Sequence, residues 1–298
     1  MSSTAASPSA GETTGGDGRA VLDFDALEGE VARLHGAYAC ADPYPHIVLD
    51  DVLDPEVARR AMKEFPALDL DQWNNFIHVN ERKHSNTSPD AWGPALRSVL
   101  DTFQSPRFVA FLSALTGIED LCIDDTLMGG GLHETTSGGY LNIHTDFTVH
   151  PRRRTWRRRI NLLLYLNEDW APEYGGDLEM WSADVKHCVR RVSPVGNRVV
   201  IFTTDTRSYH GHPEPLTCPP GMSRRSLALY YFTEEDHPLV RATDYRARPG
   251  DGVRGLVIFL DKQLLRAYDW LKRRLGISDH TAGTILRKMD ALLGRRQR

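Results

Sequence analysis

Gly139-Tyr140-Leu141-Asn142-Ile143-His144-Thr145-Asp146-Phe147 is the stretch on which the reading of this chain turns. Its polar and apolar residues alternate, which is the period of a half-buried β-strand. On that reading Tyr140, Asn142, His144 and Asp146 share one face, and Leu141 and Ile143 take the other, buried one. An imidazole and a carboxylate two residues apart on a strand can reach one metal ion if the strand end bends slightly. The third ligand must then come from another strand of the same sheet system. His210 is placed to supply it, just after the apolar run Val199-Val200-Ile201-Phe202. Two imidazoles and one carboxylate make up the facial set that holds non-haem Fe(II) while leaving coordination positions open.

Downstream, Ser223-Arg224-Arg225-Ser226-Leu227-Ala228-Leu229-Tyr230-Tyr231-Phe232 reads as another strand. Arg224 and Ser226 share a face, and Arg225 points the other way. A guanidinium offers a carboxylate two parallel donors, and a neighbouring hydroxyl adds a third. A lone His-x-Asp is a weak signal, because such tripeptides are common. Followed by a distant His and then an Arg-x-Ser entering a strand, it becomes a strong one. The plain alternative for His144 and Asp146 is a pair of surface strand residues. His212 and His150 compete with His210 for the third position. Tyr165 and Trp181 also read as core aromatics, the preferred reading for Trp181. Gly175-Gly176 is a tight turn before a strand rather than a phosphate loop, since no helix follows.

These motifs give the chain a resemblance to the prolyl-4-hydroxylase-like branch of the 2-oxoglutarate/Fe(II) oxygenases. The matching text includes Gly129 to Glu134, Gly138 to Phe147, Arg159 to Asn167, Gly175 to Trp181, Asn197 to Phe202, Ser208-Tyr209-His210-Gly211 and the Arg224 strand. It covers roughly residues 45 to 235. The resemblance implies a double-stranded β-helix, a cupin-like jelly-roll whose open mouth holds the iron. It implies His144, Asp146 and His210 as metal ligands and catalytic residues, and Arg224 as the residue for the far carboxylate of 2-oxoglutarate, with Ser226 and Tyr165 beside it. Tyr140 and Asn142, on the metal side by alternation, are expected to touch cosubstrate or substrate. The implied cofactors are Fe(II), 2-oxoglutarate and O₂, with ascorbate as a stimulant. The implied reaction oxidises an unactivated C–H bond and releases succinate and CO₂. Asp146 favours hydroxylation, because related halogenases lack that carboxylate; oxidative cyclisation uses the same site. Hydroxylases of collagen-type prolines usually carry Lys where Arg224 stands. Arg224 thus points to a different subgroup, and the resemblance does not name the substrate; a small-molecule or natural-product intermediate is expected, with a protein or peptidyl prolyl residue as the alternative. A cupin-like metal-binding protein that is no oxygenase would share the three ligands but would not need Arg224-x-Ser226.

Composition agrees with a soluble globular chain: 298 residues, 41% hydrophobic, 26% charged. The net charge of −4 gives no whole-chain nucleic-acid footprint. Arginine outnumbers lysine thirty to six among the 36 basic residues, a skew that points to a GC-rich bacterial genome. Four scattered cysteines without a CxxC, and no long apolar run, lead to the expectation of a reduced cytoplasmic protein, with no membrane contact, as a monomer or homodimer.

The organisation is mainly β with flanking helices. Residues 1–20 form a Ser/Thr/Ala/Gly-rich tail expected to be disordered. Residues 21–255 form the oxygenase domain, with the jelly-roll core at about 121–235. N-terminal helices pack on the sheet: residues 22–36, a helix from Asp54-Pro55-Glu56 with Asp54 as cap, and residues 90–116 broken at Pro94 and Pro106. Residues 256–298 form a C-terminal helical extension. Residues 74–92 and 147–158 read as loops.

Within the second loop, Arg152-Arg153-Arg154-Thr155-Trp156-Arg157-Arg158-Arg159 carries six arginines in eight residues. A solvated loop is one reading. The other is an anion-recognising rim, with Arg152, Arg153 and Arg154 as substrate contacts alongside His133 and Glu134, and an anionic or carrier-tethered substrate.

Overall fold

The structure is a computed structural model and describes residues 20–260. The tail expected before residue 20, and the part of the expected C-terminal helical extension beyond residue 260, lie outside the described residues. Two short helices, α1 (Phe24–Gly29) and α2 (Val31–Ala39), lead into strand β1 (His46–Leu49). Asp54 then caps α3 (Pro55–Lys63), its carboxylate accepting from the backbone N–H groups of Glu56 and Val57 at 2.9 and 3.2 Å. Pro55 sits in the first turn, where its missing N–H costs nothing. A hairpin follows, β2 (Asn74–His78) and β3 (Glu81–Asn86), and then α4 (Pro94–Phe103) and α5 (Pro106–Thr116). The prolines expected as breaks begin both helices, because a fixed φ suits the first turn and not the interior. Gly117, at φ 69°, ends α5 in the left-handed conformation.

The rest is strand: β4 (Cys122–Ile123), β5 (Gly131–Thr136), β6 (Tyr140–Thr145), β7 (Trp156–Tyr165), β8 (Leu178–Trp181), β9 (Cys188–Val192), β10 (Val199–Thr203), β11 (His210–His212), β12 (Ser223–Glu234) and β13 (Asp244–Tyr245). Among the described residues these make one antiparallel sheet in the order β1-β10-β7-β12-β5-β3-β6-β11-β8-β9, with β2 on β3, β4 on β12 and β13 on β6. The sheet rolls until its two ends meet. Val48, Leu163, Val200 and Phe202 from one end share an apolar cluster with Leu178, Met180 and Val192 from the other. This is the jelly-roll that the sequence predicts.

Each central strand has a helix face and a lumen face. Ile160, Leu162 and Leu164 of β7, with Val199 and Ile201 of β10, join Leu96, Val99, Phe103, Phe108 and Leu112 of α4 and α5 in one core. Leu163, Val200 and Phe202 turn inward instead. Both faces are buried, so these strands read as unbroken apolar runs. Each fully buried Leu or Phe contributes roughly 1.5–3 kcal/mol.

Two features depart from the sequence reading. Residues 74–86, expected as loop, form the β2–β3 hairpin, whose first strand is exposed along its length and carries no burial pattern to read. Strict alternation also fails in β6. His210 pairs with His144 and His212 with Leu141, so two steps along β11 match three along β6. The extra residue is a β-bulge, and it resets which side chains face the lumen. The chain further divides by its contacts into Met1–Pro249 and Gly250–Arg298. The described start of the second unit is helical from residue 252.

Candidate active site

His144, near the end of β6, Asp146, just beyond it, and His210, opening β11, offer one ligand atom each, all within 4.8 Å of one another. The imidazole Nε2 of His144 lies 3.4 Å from Asp146 Oδ1, and that of His210 lies 3.5 Å from Asp146 Oδ2. Both rings are held from behind. His144 Nδ1 lies 2.9 Å from the carbonyl oxygen of Asn142, and His210 Nδ1 lies 2.9 Å from that of Ser208. A carbonyl can only accept, so each Nδ1 donates a proton to it and each Nε2 is the ring atom that faces the cluster. Burial pushes His210 down to about 4, which keeps it neutral and available as a donor. Burial alone would push the Asp146 carboxyl up, but Arg158 and the two histidines outweigh it and hold the group well below the usual carboxylate range. Two imidazoles and one carboxylate with their donor atoms converging fit a divalent transition metal.

One cavity runs from this cluster to Arg224 on β12, walled by Leu163, Leu178, Ser226 and Ala228 among others. Arg224 is buried and fixed on two sides. Its Nε donates to the Gly176 carbonyl at 2.8 Å and its Nη2 donates to the Tyr165 hydroxyl at 3.1 Å. Gly176 sits at φ 78°, and a Cβ there would lie 2.7 Å from Leu216 and 3.0 Å from Arg224 Cδ. The tight turn read from the sequence is thus what lets the backbone approach the guanidinium. Arg225 points the other way, stacking on Phe65 and pairing with Glu134 at 3.4 Å.

The structure sorts the remaining expected residues. His133 lines the cavity, as does His212, which shares a face with His210 but stands outside the three-residue cluster. Tyr165 supports Arg224 from outside the cavity wall. Tyr140 and Asn142, expected beside the cosubstrate, hold the hairpin turn instead. The Tyr140 hydroxyl donates to the Val79 carbonyl at 3.3 Å, and the Asn142 amide donates to Val79 O at 3.3 Å and Asn80 Oδ1 at 3.2 Å. The β6 bulge is the cause, because Leu141 takes the lumen position that alternation would give to Asn142. Glu134, expected near substrate, accepts from Ser223 and pairs with Arg225 on the far side of β5. Trp181 is a core residue, packed with Ile143, Val185 and Tyr209. His150 accepts from the backbone N–H groups of Arg152 and Arg153 at 3.2 and 2.9 Å and shapes the arginine loop.

That loop splits. Arg152 and Arg154 are exposed, whereas Arg153 pairs with Asp125 at 2.6 Å and stacks on Trp156. Arg157 and Arg159 both reach Glu235. Arg158 is buried at 2% exposure in the cavity wall, a position the sequence reading missed. Lys83 of the unforeseen hairpin was missed as well. A run of six arginines gave no ground for preferring one of them.

Residues 130–232 match the family model described as the 2OG-Fe(II) oxygenase superfamily. That stretch, about a third of the chain, is similar to a superfamily named for its use of 2-oxoglutarate and Fe(II). Among curated proteins it is 26% identical over 213 residues to a prolyl 3,4-dihydroxylase, OGFOD1, of Ostreococcus tauri, spanning 66% of this chain and 39% of that one. It is 25% identical over 198 residues to the mouse prolyl 3-hydroxylase OGFOD1, spanning 64% and 33%. The chain therefore spans well under half the length of these relatives. Among solved structures, a Pseudomonas putida prolyl-4-hydroxylase superposes with a TM-score of 0.48 at 20% identity, over 67% of this chain and 99% of that one. HygX from Streptomyces hygroscopicus, solved with nickel and 2-oxoglutarate bound, superposes at 0.44 and 15%, over 64% and 84%. Among the described residues, no helix is long and apolar enough to cross a membrane.

Proposed function

We propose that this chain is an Fe(II)- and 2-oxoglutarate-dependent dioxygenase that hydroxylates an unactivated C–H bond. One observation carries the reading: a converging His144–Asp146–His210 set and a buried, pre-oriented Arg224 line a single cavity. His144, Asp146 and His210 would hold the iron. When bound, Fe(II) supplies the O₂-activating chemistry that couples loss of CO₂ from 2-oxoglutarate to oxidation of the substrate. Arg224, steadied by Gly176 and Tyr165, receives the far carboxylate, and Ser226 adds a hydroxyl donor. Leu163, Leu178 and Ala228 give the cavity dry walls, which strengthen that charge-assisted contact. His210, kept neutral by burial, holds its lone pair for the metal without losing a proton first.

The relatives' names support a prolyl residue of a peptide or protein as substrate. The β2–β3 hairpin supports it too: Phe76, Ile77 and Val79 are exposed apolar side chains on a ribbon tied to the metal-bearing strand, a surface suited to an extended chain. A small anionic intermediate is the second reading, favoured by the exposed Arg152 and Arg154. Anaerobic titration of the iron-loaded protein with 2-oxoglutarate should develop the absorbance of a chelated 2-oxo acid, and aerobic incubation should release succinate. A proline-containing peptide library and a set of small organic acids, each screened by mass for gain of one oxygen atom, separate the substrate readings. A protein that binds no iron and releases no succinate is not an oxygenase.

A further inference from the structure

Asp146 lies one residue beyond the end of β6, so no ladder hydrogen bond of that strand fixes its side chain. What fixes it comes from β7, which is not a hydrogen-bonded neighbour of β6. Asn161 donates from Nδ2 to Asp146 Oδ2 at 2.7 Å. Arg158 donates from Nε to Asn161 Oδ1 at 2.8 Å, and its Nη2 stands 3.1 Å from the same Asp146 Oδ2. The three side chains close a triangle. Arg158 is itself clamped, its guanidinium 3.3 Å from the ring centre of Tyr230 and 4.7 Å from that of Phe147. Because Arg158 can only donate, it commits the Asn161 oxygen to itself and turns the amide nitrogen toward the carboxylate.

The arrangement depends on a second irregularity. Tyr231 of β12 pairs with Ile160 and Phe232 with Arg158, so β7 carries one residue more than its partner at Arg159. Without that bulge, Arg158 and Asn161, three apart, would face opposite sides of the sheet. With it, both line the cavity.

We propose that Asn161 is the positioning residue of the metal-binding carboxylate, held in its working orientation by Arg158. The inference rests on the metal-site reading above. Neither residue is a ligand. Asn161 sets where the Asp146 oxygens stand relative to the two imidazoles before any metal arrives, and Arg158 keeps the amide from turning over. Second partners of this kind change metal affinity by 10–100-fold in other sites.

The test is isothermal titration of the full-length chain with Mn(II) in the absence of O₂, which reads binding without turnover. Asn161→Leu keeps the volume and removes the donor, and it should weaken Mn(II) by at least about tenfold. Asn167→Ala is the structural control. That buried amide also makes two hydrogen bonds, to Pro194 O and from the Arg225 N–H, but remote from the cluster. It should lower the melting temperature and leave Mn(II) affinity near wild type. Unchanged affinity in Asn161→Leu with wild-type binding intact overturns the proposal; absence of Mn(II) binding in the wild type overturns the metal site instead. If Asn161→Leu does not fold, the labelled wild-type protein decides. The Asn161 side-chain amide protons should be protected from exchange and should shift when diamagnetic Zn(II) is added. Rapid exchange with no shift means that the amide does not hold the carboxylate.

Discussion

At the scale of single residues, the site separates look-alike neighbours. His210 and His212 both face the lumen, yet only His210 has its Nδ1 tied to a carbonyl and its Nε2 near Asp146. His210→Ala should abolish Mn(II) binding and succinate release, while His212→Ala should retain metal. The opposite result, measured by titration, would reassign the third ligand. Arg224 and Arg225 make a second pair. Arg224→Ala should weaken 2-oxoglutarate by about 2–5 kcal/mol, since a buried charge-assisted contact is lost. Arg225→Ala should change it by less than about 1 kcal/mol, because its partly exposed guanidinium serves Glu134 and Phe65. Equal losses in anaerobic absorbance titrations would refute the assignment of faces. The convergence of His144, Asp146 and His210 and the shared inward face of Arg224 and Ser226 were legible in the sequence, because residue chemistry and period-2 spacing point to them. Arg158 was hidden among six arginines, whereas Tyr140 and Asn142 were misplaced and Asn161 was missed for another physical reason. A bulge changes the face without changing any residue type, so composition and spacing carry no trace of it.

At the scale of elements, close backbone approaches decide what the strands tolerate. A Cβ on Gly211 would stand 2.7 Å from the Leu141 carbonyl oxygen and 2.8 Å from that of Asn142, and neither backbone atom can rotate away. Gly211→Ala should therefore cost about 1–3 kcal/mol of stability and weaken metal binding through the displaced His210. Gly36, within α2 and with open space around it, gives the opposite sign: Gly36→Ala should stabilise by about 0.5–1 kcal/mol. Paired chemical denaturation curves check both, and a destabilised Gly36→Ala would contradict the helix. The helix starts at Asp54, Pro94 and Pro106 were legible because caps and first-turn prolines are local chemistry. The β2–β3 hairpin was not, because a strand exposed along its length has no alternation to detect.

At the scale of the whole molecule, a cavity lined by cations is matched by His133, His210 and His212, which burial keeps uncharged. Burial, with Lys83 and Arg224 nearby, pushes His133 down to about 3, and burial takes His210 to about 4. Both lie below the value of about 6.5 expected in the unfolded chain, so the unfolded chain takes up these protons first. The stability these residues contribute is complete above roughly pH 6.5 and is lost as pH falls through their folded values. The melting temperature of metal-free protein should thus drop between about pH 7 and about pH 5. His133→Phe should flatten that slope; a steeper one would mean that His133 is charged in the fold. The jelly-roll itself was legible as many short strands with turns between them, whereas its closure depends on which distant strands meet and has no local signature.

The β6 bulge has a consequence for how this chain can vary in length. Leu141 and His144 face the lumen with two residues between them, where a regular strand has one. Those two intervening residues serve separate tasks: Asn142 fastens the hairpin, and Ile143 fills the pocket around Trp181. A version of the strand shorter by one would still turn Leu and His inward, so the metal-facing register would survive the deletion. Only the Asn142 share of the hairpin fastening, which Tyr140 also holds, or the Trp181 contact would be lost, depending on which residue went. Catalytic geometry and hairpin attachment are therefore written in different residues of one strand and can be gained or shed independently by a change of a single codon in length. Aligning related chains across this strand by counting back from the histidine would then set a hairpin fastener in one protein against a lumen residue in another.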